Sequence, residues 1–147
     1  MKNVRELLQV NEESLPKLYC DLDQVLCAFL DGAKFVLGHD FVKSDRETRW
    51  KKIANFKGFW DNLQWMPGSR TLYQRIAKYD PYILSAYSTR DANSRTGKHK
   101  WIAKNTRIPK SRVLLVKRAQ KQSYATDKGE PSVLIDDYIK NIKEWES

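Results

Sequence analysis

The sequence predicts an α/β fold in which a parallel sheet carries helices on both faces. Four short segments are continuously apolar, and stretches with helical spacing of apolar residues separate them along the chain. Alternation of strands and helices is typical of a parallel sheet, whose strands are short and apolar because both of their faces are buried. The predicted strands are KLYC, PYILS, SRVLLV and PSVLI, at 17–20, 81–85, 111–116 and 131–135.

The predicted helices follow these strands in turn. QVLCAFLDGAKFVLG (24–38) has apolar residues at helical spacing, and Gly38 is a typical helix stop. A turn at 67–69 precedes the helix RTLYQRIAKY, and GKHKWIAKN and YIKNIKEW are the last two predicted helices, at 97–105 and 138–145. The stretch between 39 and 66 is charged and aromatic without strand alternation, which predicts a small helical cap inserted into the core.

Length and composition favour one globular domain covering 1–147, with a core of about 17–38 and 67–147 and the cap at about 39–66. Residues 1–16 are predicted to form a short amphipathic lead-in that ends at Pro16. The chain shows no apolar stretch of membrane-span length and no signal-peptide pattern near its first residue, so we expect a cytoplasmic protein without a membrane partner.

Cys20 and Cys27 lack metal or disulfide spacing, and we expect both to be core thiols, the first in a strand and the second in the helix after it.

The formal charge of +9 is concentrated in one part of the chain. The segment from Arg90 to Lys128 contains twelve Lys or Arg and only two acidic residues, a net +10. A segment of this kind suits a phosphate-bearing ligand or a nucleic acid, and it equally suits a solvated surface. Charge alone leaves these alternatives open.

Polar side chains lie where the predicted strands end. Asp21 and Asp23 follow the first strand, Ser85 ends the second, and Asp136 and Asp137 follow the fourth. Ligands of parallel sheets bind beyond the carboxyl ends of the strands, so these residues are expected on one rim. Considered without the other strand-end residues, each acidic pair would be equally compatible with a role as a helix N-cap.

Clustered carboxylates at that rim would repel one another unless a cation neutralised them, and Mg²⁺ takes a few carboxylates together with water and substrate phosphate. Asp21 is then placed to attack phosphorus and form an aspartyl-phosphate. Asp23 is placed to protonate the leaving oxygen and later to deprotonate water. Ser85 and an ammonium group would bind the other phosphoryl oxygens.

The motifs DLDQV, ILS and VLIDD, with a lysine between the last two, resemble in order the four motifs of the haloacid dehalogenase-like phosphohydrolases. FWDNLQWMPGSRTL, GKHKWI and VLIDDYIKNIKEW resemble the 5'(3')-deoxyribonucleotidases and their phage or bacterial relatives within that superfamily. The resemblance covers about residues 18–145. It implies a Rossmann-like α/β core with a small helical cap after the first motif.

Carried over by position, the resemblance implies that Asp21 is the nucleophile, Asp23 the acid/base and Ser85 a phosphate-binding hydroxyl. It implies a magnesium site formed by Asp21, Asp23, Asp136 and Asp137, to which Asp23 contributes its backbone carbonyl. Lys121, which precedes SYA, is preferred over Lys117 as the motif-three lysine, and Lys98 resembles an additional phosphate-binding lysine. Gln24 departs from the family pattern, in which glycine or threonine is common, and is expected to alter the local turn.

Phe59 and Trp60 are candidates for stacking on a nucleobase, and they are equally suited to the cap's own core.

From these motifs together we expect a Mg²⁺-dependent phosphomonoesterase that acts on small-molecule nucleoside monophosphates. Two alternatives stay open: a phosphatase of nucleic-acid 3' or 5' ends, and a non-catalytic basic module that binds nucleic acid on the same scaffold. Salt dependence would mark a polynucleotide substrate, and phosphate release from an aryl phosphate would exclude the non-catalytic module.

Overall fold

The computed structural model describes residues 15–147, and most of the lead-in predicted for 1–16 lies outside this range. The described chain is an α/β fold built on a four-stranded parallel sheet flanked by helices, with strand order β3-β2-β1-β6. The strands of this sheet are β1 (Leu18–Cys20), β2 (Tyr82–Ala86), β3 (Val113–Val116) and β6 (Val133–Ile135). The helices are α1 (Phe29–Leu37), α2 (Arg46–Asn55), α3 (Ser69–Ile76), α4 (Asn93–Asn105) and α5 (Ile139–Glu146).

Several elements were not expected from the sequence. A small antiparallel hairpin, β4 (Thr126–Asp127) with β5 (Glu130–Pro131), precedes β6. Between β3 and this hairpin the chain forms a 3₁₀ helix, Arg118–Tyr124. Shorter 3₁₀ turns lie at Phe41–Lys43, Ala77–Tyr79 and Lys110–Arg112. No helix among residues 15–147 is long and apolar enough to cross a membrane.

The register of the sheet sets the position of the acidic residues. Cys20 is paired with Ile83 on one side and with Ile135 on the other. The backbone N–H of Asp21 donates to the carbonyl of Ile135 at 2.9 Å, which extends this pairing one step past β1. The residues that follow β1 and β6 therefore leave the sheet side by side.

The helix predicted from Gln24 onward begins at Phe29 instead, so Cys27 lies outside it. Before that point the chain turns back on itself, and the carbonyl of Leu22 accepts hydrogen bonds from the N–H groups of residues 25–27. Gln24 adopts the left-handed conformation (φ 61°), which favours glycine, and its side-chain Oε1 accepts from the N–H of Leu30. The glutamine thus caps α1, whose own N-cap, Ala28, offers no side-chain acceptor.

Residues 39–66 contain one α-helix, α2, rather than a separate helical unit with its own core. Phe29 of α1 lies against Trp60 and Trp50 with ring centroids 5.5 and 6.0 Å apart. Phe59, Trp60 and Ile53 belong to the same buried cluster as the sheet residues Cys20 and Ile83. Aromatic packing therefore joins the insertion to the main core.

Helix α4 approaches the insertion closely at Gly97, where an added Cβ would collide with the Cβ of Trp60. We expect Gly97→Ala to destabilise the protein by about 1–3 kcal/mol, because this overpacking outweighs the usual gain from replacing a helical glycine. Thr96→Ala, on the exposed side of the same helix, is the matched control and should be neutral or slightly stabilising. Urea unfolding of the two variants measures the difference, and equal stabilities would contradict the close approach.

Candidate functional site

Three carboxylates meet at the carboxyl edge of the sheet. Asp21 follows β1, and Asp136 and Asp137 follow β6; each offers a carboxylate oxygen, and these three oxygens lie within 4.8 Å of one another. Asp21 is 7% exposed, and the side chain of Asp136 is fully buried. The structure thus brings together residues more than a hundred positions apart.

A buried lysine lies between two of these carboxylates. The Nζ of Lys121 donates to Oδ2 of Asp136 at 2.9 Å and lies 3.0 Å from Oδ1 of Asp21. The 3₁₀ helix after β3 carries Lys121 into this position, where it is 3% exposed. Lys117, the other candidate for the motif-three lysine, is exposed at the beginning of that helix.

A second buried lysine binds the remaining acidic residue. The Nζ of Lys98, on α4, donates to Oδ2 of Asp23 at 2.9 Å, to Oγ of Ser85 at 2.9 Å and to the carbonyl of Ala86 at 2.7 Å. These three acceptors satisfy all the donors of an ammonium group, which is 1% exposed here. Lys98 therefore connects Asp23 to the hydroxyl at the end of β2.

The site carries more negative than positive charge. Two ammonium groups, Lys98 and Lys121, face the four carboxylates of Asp21, Asp23, Asp136 and Asp137. Burial raises the pKa of Asp21 to about 7, with Lys121 opposing this shift and Asp136 adding to it. Burial also lowers the pKa of Lys121, but the nearby Asp21 and Asp136 outweigh it and raise that pKa overall.

The donor set fits a hard divalent cation. The oxygens of Asp21, Asp136 and Asp137 are close enough to share one ion, and a charge of +2 would balance the excess of two carboxylates when all four are ionised. The resemblance implies that Asp23 contributes its backbone carbonyl to the metal site; its carboxylate lies outside this group and binds Lys98. Its second oxygen, Oδ1, is buried without a hydrogen-bond partner in the described part of the chain.

A cavity of about 430 Å³ opens beside Asp23, between the insertion and the loop after β2. Trp60 lines this cavity, and its indole N–H donates to Oδ2 of Asp91 at 2.7 Å. Phe59 is 5% exposed, packs edge-to-face on Trp60 and does not line the cavity. Of the two aromatic residues suggested for base stacking, only Trp60 is placed next to the site.

Sequence reasoning missed two features of the site. It assigned Lys98 only to phosphate, whereas the lysine binds Asp23 and Ser85 directly. It also gave no role to Arg46, Arg49 or Trp50, which line the cavity from α2. The clustering of two arginines and a tryptophan in RETRW was the available signal, because side chains three or four residues apart share one helix face.

No protein-family model matches this chain, and a search of curated proteins found no significant match.

Proposed function

We propose that this protein is a Mg²⁺-dependent phosphomonoesterase with a haloacid dehalogenase-like fold, acting on nucleoside monophosphates through an aspartyl-phosphate. The observation that carries the proposal is the convergence of the carboxylates of Asp21, Asp136 and Asp137, the first two of which bind the Nζ of Lys121. Asp23 follows Asp21 closely in the chain, lines the cavity and binds the buried Lys98. Three acidic oxygens, two buried cations and a hydroxyl are the groups that phosphoryl transfer needs.

In the proposed reaction a carboxylate oxygen of Asp21 attacks phosphorus, and the bond between phosphorus and the ester oxygen breaks. The leaving oxygen takes a proton from Asp23. Water then attacks the phosphorus of the aspartyl-phosphate and gives its proton to Asp23, so that Asp21 is regenerated and inorganic phosphate leaves.

One lysine and a hydroxyl hold the phosphoryl group in this scheme, and a second lysine positions that hydroxyl. Lys121 and the hydroxyl of Ser85 donate to its oxygens, where negative charge is spread in the transition state. Lys98 fixes the carboxylate of Asp23 and the hydroxyl of Ser85 relative to each other. Orientation of this kind lowers the barrier because the reacting groups need no further ordering.

Asp21, Asp136 and Asp137 would hold the metal. When bound, Mg²⁺ supplies positive charge that offsets the repulsion between these carboxylates and a phosphate ester. The three residues come from the ends of two adjacent strands, so the sheet itself keeps them in place.

Removal of divalent metal is expected to abolish phosphate release, and addition of Mg²⁺ is expected to restore it. The assay compares deoxy- and ribonucleoside 5'- and 3'-monophosphates and an aryl phosphate, each with Mg²⁺ and with EDTA. Turnover that persists in EDTA would contradict the metal requirement. Absence of phosphate release from all substrates in Mg²⁺ would refute the enzymatic proposal and favour a non-catalytic role.

A further inference from the structure

Three arginines line the cavity beside Asp23. Arg46 and Arg49 reach it from α2, and Arg90 reaches it from the loop that follows β2. Because α2 and this loop are about forty residues apart in the sequence, the cations are brought together only by the tertiary fold. The proposed mechanism uses none of them.

Arg49 is held in place by its surroundings. Its Nη1 donates to the carbonyls of Ser44 and Phe41 at 3.3 and 3.4 Å, and its guanidinium carbon lies 4.2 Å from the centre of the Phe41 ring. Its Nε is buried without a hydrogen-bond partner among the described residues. A guanidinium fixed in this way loses little conformational entropy when it binds a ligand.

The cavity has an excess of positive charge. Among residues 15–147, no carboxylate lies within ion-pair distance of Arg46, Arg49 or Arg90. The nearby carboxylate of Asp45 accepts from the N–H and hydroxyl of Thr48, and Asp23 is paired with Lys98. Arginines arranged around a cavity without acidic partners are suited to a phosphate group.

The same cavity has aromatic walls. Phe29, Trp50 and Trp60 line it, and each pair of these rings stacks with centroids 5.5–6.3 Å apart. Its volume of about 430 Å³ is that of a small-molecule site, for which roughly 300–1,000 Å³ is usual. Aromatic rings and arginines that line one cavity beside Asp23 suit a nucleoside that carries an additional anionic group.

We infer that the substrate carries a second phosphate, so that one phosphate reaches Asp21 while the other binds Arg46, Arg49 and Arg90. This inference rests on the proposed phosphomonoesterase function and narrows its substrate class. The second phosphate is either that of a nucleoside 3',5'-bisphosphate or the phosphodiester next to a phosphorylated nucleic-acid end. Both present the same anionic group about one nucleoside away from the phosphate that is hydrolysed.

The test compares kcat/KM for thymidine 3',5'-bisphosphate, the two thymidine monophosphates, and thymidine dinucleotides phosphorylated at the 5' or 3' end. At low salt the kcat/KM of the preferred substrate with a second phosphate should exceed that of the better monophosphate by about tenfold or more. This is the size of effect expected of a charge-assisted hydrogen bond. Arg46→Gln/Arg49→Gln and, separately, Arg90→Gln should reduce this ratio toward one. Lys51→Gln/Lys52→Gln removes the same charge from exposed positions of α2 outside the cavity lining and should preserve the ratio.

The outcomes distinguish the two sources of the second phosphate, and they distinguish failure of the second-phosphate site from failure of the proposed function. Preference for the bisphosphate alone indicates a free nucleotide, and preference for a dinucleotide indicates a nucleic-acid end. Hydrolysis of monophosphates without any preference, or an equal loss in the Lys51/Lys52 control, overturns the second-phosphate site and leaves the proposed function intact. If nothing is hydrolysed, the proposed function fails, and calorimetry without Mg²⁺ then tests the second-phosphate site. Tighter binding of the bisphosphate or of a dinucleotide than of the monophosphate supports this site. Binding that is no tighter than that of the monophosphate overturns it.

Discussion

Asp21→Asn is expected to reduce phosphate release by roughly 10⁴–10⁶-fold, the size of loss that follows removal of a catalytic nucleophile. The amide is nearly the same shape as the carboxylate but cannot form the acyl phosphate. The fold should survive, because Lys121 keeps its bond to Asp136 and the exchange removes a charge from a buried position. Phosphate release with Mg²⁺ and the melting temperature of the variant are the two measurements.

The matched control is Asp31→Asn in the exposed first turn of α1, which should retain wild-type activity. A second readout follows the intermediate itself. Labelled phosphate from a substrate should be trapped on the wild-type protein, be released by hydroxylamine as an acyl phosphate would be, and be absent from Asp21→Asn. Activity retained in the folded variant would rule out Asp21 as the nucleophile.

Lys98→Met should destabilise the protein by about 3 kcal/mol, since removal of the buried ammonium group leaves the carboxylate of Asp23, whose side chain is 26% exposed, without its partner. Asp23, Ser85 and the carbonyl of Ala86 would all lose the same donor. Methionine fills a similar volume, so most of the loss would come from the unpaired polar groups rather than from a cavity. The free energy of unfolding in urea measures the effect, and phosphate release should fall with it.

Two further variants make this result specific. Lys100→Met changes an exposed lysine on the same helix and should stay within about 0.5 kcal/mol of the wild type. The double variant Lys98→Met/Asp23→Asn also removes the carboxylate that has lost its partner and should recover part of the lost stability. If Lys98→Met unfolds at the same urea concentration as Lys100→Met, the lysine does not stabilise the site.

Much of the sheet could be predicted from sequence. KLYC, SRVLLV and PSVLI each contain an observed parallel strand, and PYILS covers β2 except for its last residue, because strands of a parallel sheet flanked by helices are rich in apolar residues. The beginning of α1 could not be predicted in this way. Leu26 and Phe29 are both buried, as helical spacing suggests, but Leu26 is buried in a turn that the left-handed Gln24 makes possible. A periodic pattern reports burial and does not distinguish a helix from a compact turn.

The sequence by itself determined the alternation of strands and helices and the placement of Asp21, Asp23, Asp136 and Asp137 at strand ends, since parallel strands present their carboxyl ends at one edge. The resemblance pointed to Lys98 and Lys121, but only the tertiary structure decided which carboxylates each lysine binds and which arginines face the cavity. Lys98 and Asp23 are 75 positions apart and meet at 2.9 Å because α4 packs against the sheet and Trp60. Contacts of this kind depend on packing between distant segments, which no local pattern of residues encodes.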